Sequence, residues 1–210
     1  MYHRGVEAAT IFILAGGKSL RMGRDKAFLM LHGKTLLERS LELAAAVAEE
    51  VCIVGDPRKF LRFGKAVQDI FPECGPLGGI HAALRQTKSE LNLMLAVDLP
   101  FIEERFLRYL ISTASRCTAW VTFVEADGPH PLCAVYRREF AEAAEKSLLQ
   151  GRNKVDSLFP GVETRVIAAP ELSRLGFSTR MFRNLNTPED FAQAESDMVA
   201  AGRPEAAERN

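Results

Sequence analysis

The sequence predicts an α/β protein with a mainly parallel, mixed sheet and helices on both of its faces. Short apolar runs alternate with longer amphipathic ones, the order produced when each strand is followed by a covering helix. Two of those runs, "TIFILAG" and "LNLMLAV", are apolar without alternation, as strands buried on both faces are. Helix-start and turn residues sit at the junctions between the runs.

"TIFILAG" is the first strand, and "LAGGKSLRMGRDK", residues 14–26, is the loop leaving its C-terminal end. Thr35 and Glu38 have capping-box spacing and open a helix over residues 35–49, with Leu36, Leu37, Leu41 and residues 44–48 on its apolar face. "VCIVG" is the second strand, Asp56-Pro57 opens a short helix, and "KAVQDI" is a third, shorter strand that ends near Asp69. "CGPLGGIHAALRQT" begins as a glycine-rich turn and continues as a helix whose first backbone N–H groups are available to an anion. "LNLMLAV" runs into Asp98, and Pro100 stops further ladder bonding. A helix over 103–112 follows. "AWVTFVEADGPHPLCAVY" is two strands around a turn at Asp127-Gly128, a break from simple βαβ alternation. Residues 138–150 are helical, "NKVDSLF" forms a short helical turn and "TRVIAA" a late strand. In the last helix Thr187 is the N-cap, Pro188 takes the first position and Gly202 ends it. One domain over 1–202 and a disordered tail over 203–210 are expected, without internal repeats.

Lys and Arg number 27, as do Asp and Glu, so no global field draws the chain to nucleic acid or to an anionic membrane. The four cysteines, Cys52, Cys74, Cys117 and Cys133, form no C-x-x-C pair and are expected as buried free thiols. With neither a leader peptide nor a run of membrane-spanning length, a cytoplasmic protein is expected.

Chemistry gathers at the first loop. Gly16, Gly17 and Gly23 let backbone N–H groups approach a phosphate, and Lys18, Arg21, Arg24 and Lys26 add charge. A solvated basic turn would have the same composition, but this loop leaves a buried strand of an α/β sheet, where ligands bind. Neither the G-x-G-x-x-G fingerprint nor the G-x-x-x-x-G-K-[ST] loop is present. Asp98 is placed to carry Mg²⁺ beside such a loop, although a turn aspartate close before a proline would look the same. Asp69 can reach the same cleft or sit in a surface turn. His3, His32, His81 and His130 form no metal-spacing cluster and are read as structural, and no G-x-S-x-G elbow is present.

In this order, "LAGGKSLRMGRDK", "GPLGGIHAAL", "AVDLP", "HPLCAVY" and "NLNTPED" closely resemble the molybdenum cofactor guanylyltransferases, over residues 11–200. The resemblance implies a Rossmann-like nucleotidyltransferase fold and transfer of GMP from GTP to the phosphate of molybdopterin, with Mg²⁺. It implies that Leu14, Ala15, Gly16, Gly17, Lys26, Asp69 and Asp98 bind the nucleotide and that Asp98 also holds the metal. Arg21, Lys26 and Asp98 would carry the catalysis, with Asn184 and Asn186 near the acceptor phosphate. Arg152 and Lys154 can join the acceptor side, or can simply solvate a helix start. Some relatives carry a nucleotide-contacting Asn after the second strand where this chain has Val54, so a polar contact to base or ribose must come from elsewhere. Gly16-Gly17 favours the guanine branch over the cytidylyl one, in which the first glycine is more often Ala. Cytidylyl or sugar-phosphate transfer on the same fold, and a nucleotide-binding chaperone for molybdoenzymes, are the competing readings. GTP and molybdopterin are the expected partners, with molybdoenzymes or other cofactor-biosynthesis proteins beyond them.

Overall fold

In the structure, a computed structural model, residues 9–16 and 25–201 are described. The expected helix stop at Gly202 and the tail from Arg203 fall outside them, as does His3. Seven strands form one sheet in the order β5-β4-β1-β6-β8-β7-β9. They are β1 (Ala9–Leu14), β4 (Glu50–Val54), β5 (Ala66–Val67), β6 (Leu91–Ala96), β7 (Val121–Glu125), β8 (Cys133–Arg137) and β9 (Thr164–Ala168). A separate two-residue hairpin, β2 (Met30–Leu31) and β3 (Lys34–Thr35), turns through His32 and Gly33, both at positive φ.

β1, β4, β5 and β6 run parallel, and β8 enters antiparallel between β6 and β7, which is the mixed sheet that the 120–136 segment foretells. All six residues of β1 and of β6 are buried. Their side chains divide by parity: Ile11, Ile13, Leu93 and Leu95 enter one core layer, while Phe12, Leu14 and Met94 enter the other. The first layer is closed by α1 (Leu36–Val47), α4 (Glu104–Ala114) and the helix α7 (Pro188–Ala201); the second by α3 (Gly75–Gln86) and α5 (Phe140–Leu149). Short helices α2 (Pro57–Phe60) and α6 (Ala169–Arg174) complete the set. Among the described residues no helix is long and apolar enough to cross a membrane.

Local chemistry explains the helix starts. Thr35 and Glu38 form the capping box, with Glu38 N donating to Thr35 Oγ1 at 3.1 Å and Thr35 N to Glu38 Oε2 at 2.8 Å. Asp56 caps α2 ahead of Pro57.

Three expectations are corrected. "KAVQDI" yields ladder bonds only at Ala66 and Val67, because β5 is an edge strand and the chain turns off after Val67; Asp69 lies two residues beyond the last paired position. Gly78 and Gly79 are interior to α3 instead of forming a turn ahead of it, since that helix must pass close to its neighbours. The cysteines are all free, yet only Cys133, on the interior strand β8, is buried; the other three are half-buried. Burial pushes the Cys133 thiol up to about 12, so it is inert near neutral pH.

Candidate active site

The strand order reverses between β1 and β6: from β1 the chain builds outward through β4 and β5, then returns to β6 on the other side of β1. Such a switch point opens a crevice at the strands' carboxyl ends. Here Leu14 pairs with Ala96, so Gly16 and Asp98 each stand two residues past the same register position. The amides of Ala15 and Gly16 donate to Val54 O at 3.1 and 2.9 Å, which fixes the start of the first loop against β4. A Cβ on Gly16 would lie 3.5 Å from both Gly55 Cα and Val54 O, so the chain passes close here. Gly17, Lys18, Arg21, Gly23 and Arg24 lie outside the described residues.

Lys26 re-enters the crevice from the far end of that loop. Asp25 caps a short 3-10 turn over Lys26–Phe28 by accepting from Ala27 N at 3.0 Å, and its other oxygen pairs with Lys59. Phe28, packed between Phe60 and Phe63, anchors the turn from below. Lys26 Nζ then donates to Asp98 Oδ2 at 3.0 Å and to Asn186 Oδ1 at 2.6 Å. Both partners of the Lys26–Asp98 pair are only 20% exposed, so the charges meet in a partly desolvated setting. Leu185, wholly buried, donates its N–H to Asp98 O at 3.1 Å and pins the 184–187 segment to the end of β6. Three sequence-predicted residues, separated by as many as 160 positions, are thus in one cluster.

The opposite wall is α3. A Cβ on Gly79 would lie 2.9 Å from Val54 Cγ1 and 3.4 Å from Asp69 Oδ1, and one on Gly78 2.8 Å from Phe71 O. The two glycines let the first turns of α3 lie against Asp69 and the end of β4. Asp69 Oδ1 is buried without a hydrogen-bond partner among the described residues, and burial raises the Asp69 pKa. A buried acceptor left open beside a helix N-terminus calls for a donor from outside the chain. Val54 is 2% exposed and packs toward Gly79, so the position where some relatives place Asn is filled by an apolar side chain.

Other predicted residues stand apart. Asn184 is exposed on the same segment as Asn186. Arg152 and Lys154 engage local partners, Arg152 with Gln150 and Lys154 with Asp156 at 3.1 Å. His81 is buried on α3 next to Arg85 and Glu145, and burial lowers its pKa; His130 stacks on Phe182 at 4.2 Å and hydrogen-bonds Ala126 O at 2.9 Å.

Asp98 is the candidate metal ligand. Among the described residues no three His, Cys, Asp or Glu side chains come together to hold an ion. A hard carboxylate oxygen, with remaining ligands from substrate phosphates and water, is nevertheless how Mg²⁺ is usually bound, so Asp98 fits that ion. Sequence reading missed Asp190, whose carboxylate accepts from Asn186 N and Thr187 N, both at 2.8 Å. The T-x-x-D spacing of 187–190 was its signal.

Comparison with known proteins identifies the family. Residues 11–163 match the model of the MobA-like NTP transferase domain. The chain is 33% identical over 201 residues to the molybdenum cofactor guanylyltransferase of Desulfosudis oleivorans, covering 94% of this chain and 99% of that protein. It is 35% identical to a probable molybdenum cofactor guanylyltransferase of Pelotomaculum thermopropionicum over 89% of this chain and 91% of the relative. The crystal structure of molybdopterin-guanine dinucleotide biosynthesis protein A from Archaeoglobus fulgidus superimposes with a TM-score of 0.82 at 26% identity, covering 91% and 99% of the two chains. Matched by the family model over residues 11–163 and by relatives along nearly their whole length, this chain belongs to the molybdenum cofactor guanylyltransferase family of MobA-like NTP transferases.

Proposed function

We propose that this protein transfers GMP from GTP to the phosphate of molybdopterin, releasing pyrophosphate and forming the guanine dinucleotide form of the cofactor. The observation that carries the reading is the Lys26–Asp98–Asn186 cluster at the switch point between β1 and β6. The relatives named molybdenum cofactor guanylyltransferase support the choice of nucleotide and acceptor.

The nucleophile needs little help. A phosphate monoester has a second pKa near ~6, so at neutral pH it is largely dianionic and attacks without a general base. An acceptor oxygen bonds to the α-phosphorus of GTP as the bond to the β-phosphate bridging oxygen breaks, and pyrophosphate carries that electron pair away. What the protein must supply is in-line positioning and relief of negative charge. Leu14, Ala15 and Gly16 stand at the nucleotide approach, the family resemblance adds Gly17, and Asp69 offers its open acceptor oxygen to an N–H or O–H of the base or ribose. Lys26 and Arg21 stabilise the charge that moves onto the departing pyrophosphate. Asn186, beside Lys26, and Asn184 on the same segment are assigned to the acceptor phosphate, while the local partners of Arg152 and Lys154 give those two cations no support for a place there. Mg²⁺ on Asp98 would neutralise triphosphate charge and bring its oxygens into line.

The test is pyrophosphate release from the purified protein with molybdopterin, Mg²⁺ and, separately, GTP, CTP, ATP and UTP. Release with GTP alone is expected; release with CTP alone would overturn the guanylyl assignment.

A further inference from the structure

The segment between buried Leu185 and Pro188 carries two exposed residues, Asn186 and Thr187, and yet the Asn186 side chain makes a 2.6 Å bond to Lys26. An exposed asparagine on a connecting loop needs something to hold its backbone. Leu185 supplies one anchor through Asp98 O at 3.1 Å. The second is Asp190, one of whose oxygens, Oδ2, takes the N–H groups of both Asn186 and Thr187 at 2.8 Å.

A capping box accounts for only part of this. In such a box the N-cap hydroxyl accepts from the N3 amide and the N3 side chain accepts from the N-cap amide. Thr187 Oγ1 accepting from Asp190 N at 3.1 Å, and Asp190 accepting from Thr187 N, complete it. The bond from Asn186 N is additional. It fixes the residue ahead of the helix, and charge-assisted bonds of this type are the stronger kind. Those two amides hold the Asp190 carboxyl below the usual carboxylate range, so it stays ionised through neutral pH.

We infer that Asp190 is a positioning residue: its carboxylate orients the Asn186 backbone so that Asn186 Oδ1 holds the Lys26 ammonium against Asp98. The path runs from helix α7 to the cluster through one side chain. Helix capping and site geometry therefore depend on the same carboxylate, and they can be separated experimentally.

The first measurement is competitive acetylation of Lys26 in the full chain without nucleotide, read by peptide mass spectrometry, with exposed Lys65 as internal reference. Asp190→Ala is expected to raise Lys26 labelling roughly threefold to tenfold, as Asn186→Ala does, and to add nothing further in the Asn186→Ala background. Asp190→Asn keeps an oxygen acceptor and stays near wild type. Thr187→Ala loses the capping hydroxyl, lowers Tm and leaves Lys26 labelling unchanged. Unchanged labelling in Asp190→Ala, or effects of Asp190→Ala and Asn186→Ala that multiply in full, would overturn the inference. If Asp190→Ala fails to fold, Asp190→Ser, whose single short hydroxyl cannot serve both amides, takes its place with the same criteria.

The second measurement rests on the function proposed above. Asp190→Ala is expected to lower kcat/KM for pyrophosphate release about tenfold in the wild-type background and not at all in Asn186→Ala, while Tm falls equally in both. Equal kinetic losses in the two backgrounds would mean a cap alone and would reject positioning. A wild-type chain that releases no pyrophosphate would reject the proposed function, and the labelling result would still decide the role of Asp190.

Discussion

At the scale of single residues, Lys26 and Asp69 make opposite demands on the fold. The Lys26–Asp98 pair is only 20% exposed, so the cost of desolvating its charges offsets much of their attraction and the intact pair adds little net stability, whereas its charge sits where the triphosphate would bind. Lys26→Met and Asp98→Asn are each expected to cost about a hundredfold or more in pyrophosphate release, together with a lower Tm because the remaining charge loses its partner. Steady-state assay beside thermal denaturation checks both. Asp69 is the reverse case. Burial raises its pKa, so the folded chain holds that proton more tightly than the unfolded chain does. The stability this contributes is full below the ordinary Asp value and is lost as pH rises through the raised folded value. At pH 7, above the ordinary Asp value, that contribution is diminished. Asp69→Asn is expected to raise Tm at pH 7 by roughly 2 °C or more, with the gain fading below pH ~4, and to weaken GTP binding. Melting curves across pH would contradict this if Asp69→Asn melted lower than wild type at neutral pH.

At the scale of elements, what the sequence made legible was whatever neighbouring residues encode. β1 and β6 were readable because an unbroken apolar run has one economical fate in an α/β chain, and both proved fully buried. The start of α1 was readable because Thr35 and Glu38 satisfy one another within a single turn. Asp98 and Lys26 could be named as candidates, but nothing local says that Nζ and Oδ2 meet at 3.0 Å; that follows from the register of β1 on β6. The glycines of α3 read as a turn ahead of a helix, because Gly is a helix-breaking letter in isolation and its use here depends on Phe71 and Val54, which reach it only in three dimensions. A propensity scale says Ala in place of a mid-helix glycine should stabilise by about 1 kcal/mol. For Gly78→Ala the opposite is expected, since the new Cβ would meet Phe71 O at 2.8 Å and a backbone carbonyl cannot swing aside. Overpacking of this kind costs ~1–3 kcal/mol and displaces the helix from Asp69, so denaturant titration should give a lower midpoint and nucleotide affinity should fall with it.

At the scale of the whole molecule, the site draws on the ends of β1 and β6, the 3-10 turn at Lys26, the start of α3 and the segment before α7, so the unfolded chain has no version of it. A ligand that binds there binds the folded state alone, and its affinity must appear as stability. Saturation at a hundred times Kd adds ~2.7 kcal/mol, which for a chain of this size corresponds to about 5–10 °C in Tm. GTP with Mg²⁺ is expected to give that shift and CTP with Mg²⁺ to give little; Asp98→Asn should abolish the part of the shift that depends on the metal. The net charge of zero sharpens the comparison, because no overall field attracts every triphosphate alike. A non-catalytic nucleotide-binding module would give the same thermal shift with GTP and yet release no pyrophosphate when molybdopterin is added. Differential scanning fluorimetry and the pyrophosphate assay on one preparation therefore separate binding from chemistry. Equal shifts with GTP and CTP would place selectivity in the reaction instead of in the binding of the base, and would remove the specificity role from Asp69 and its neighbours.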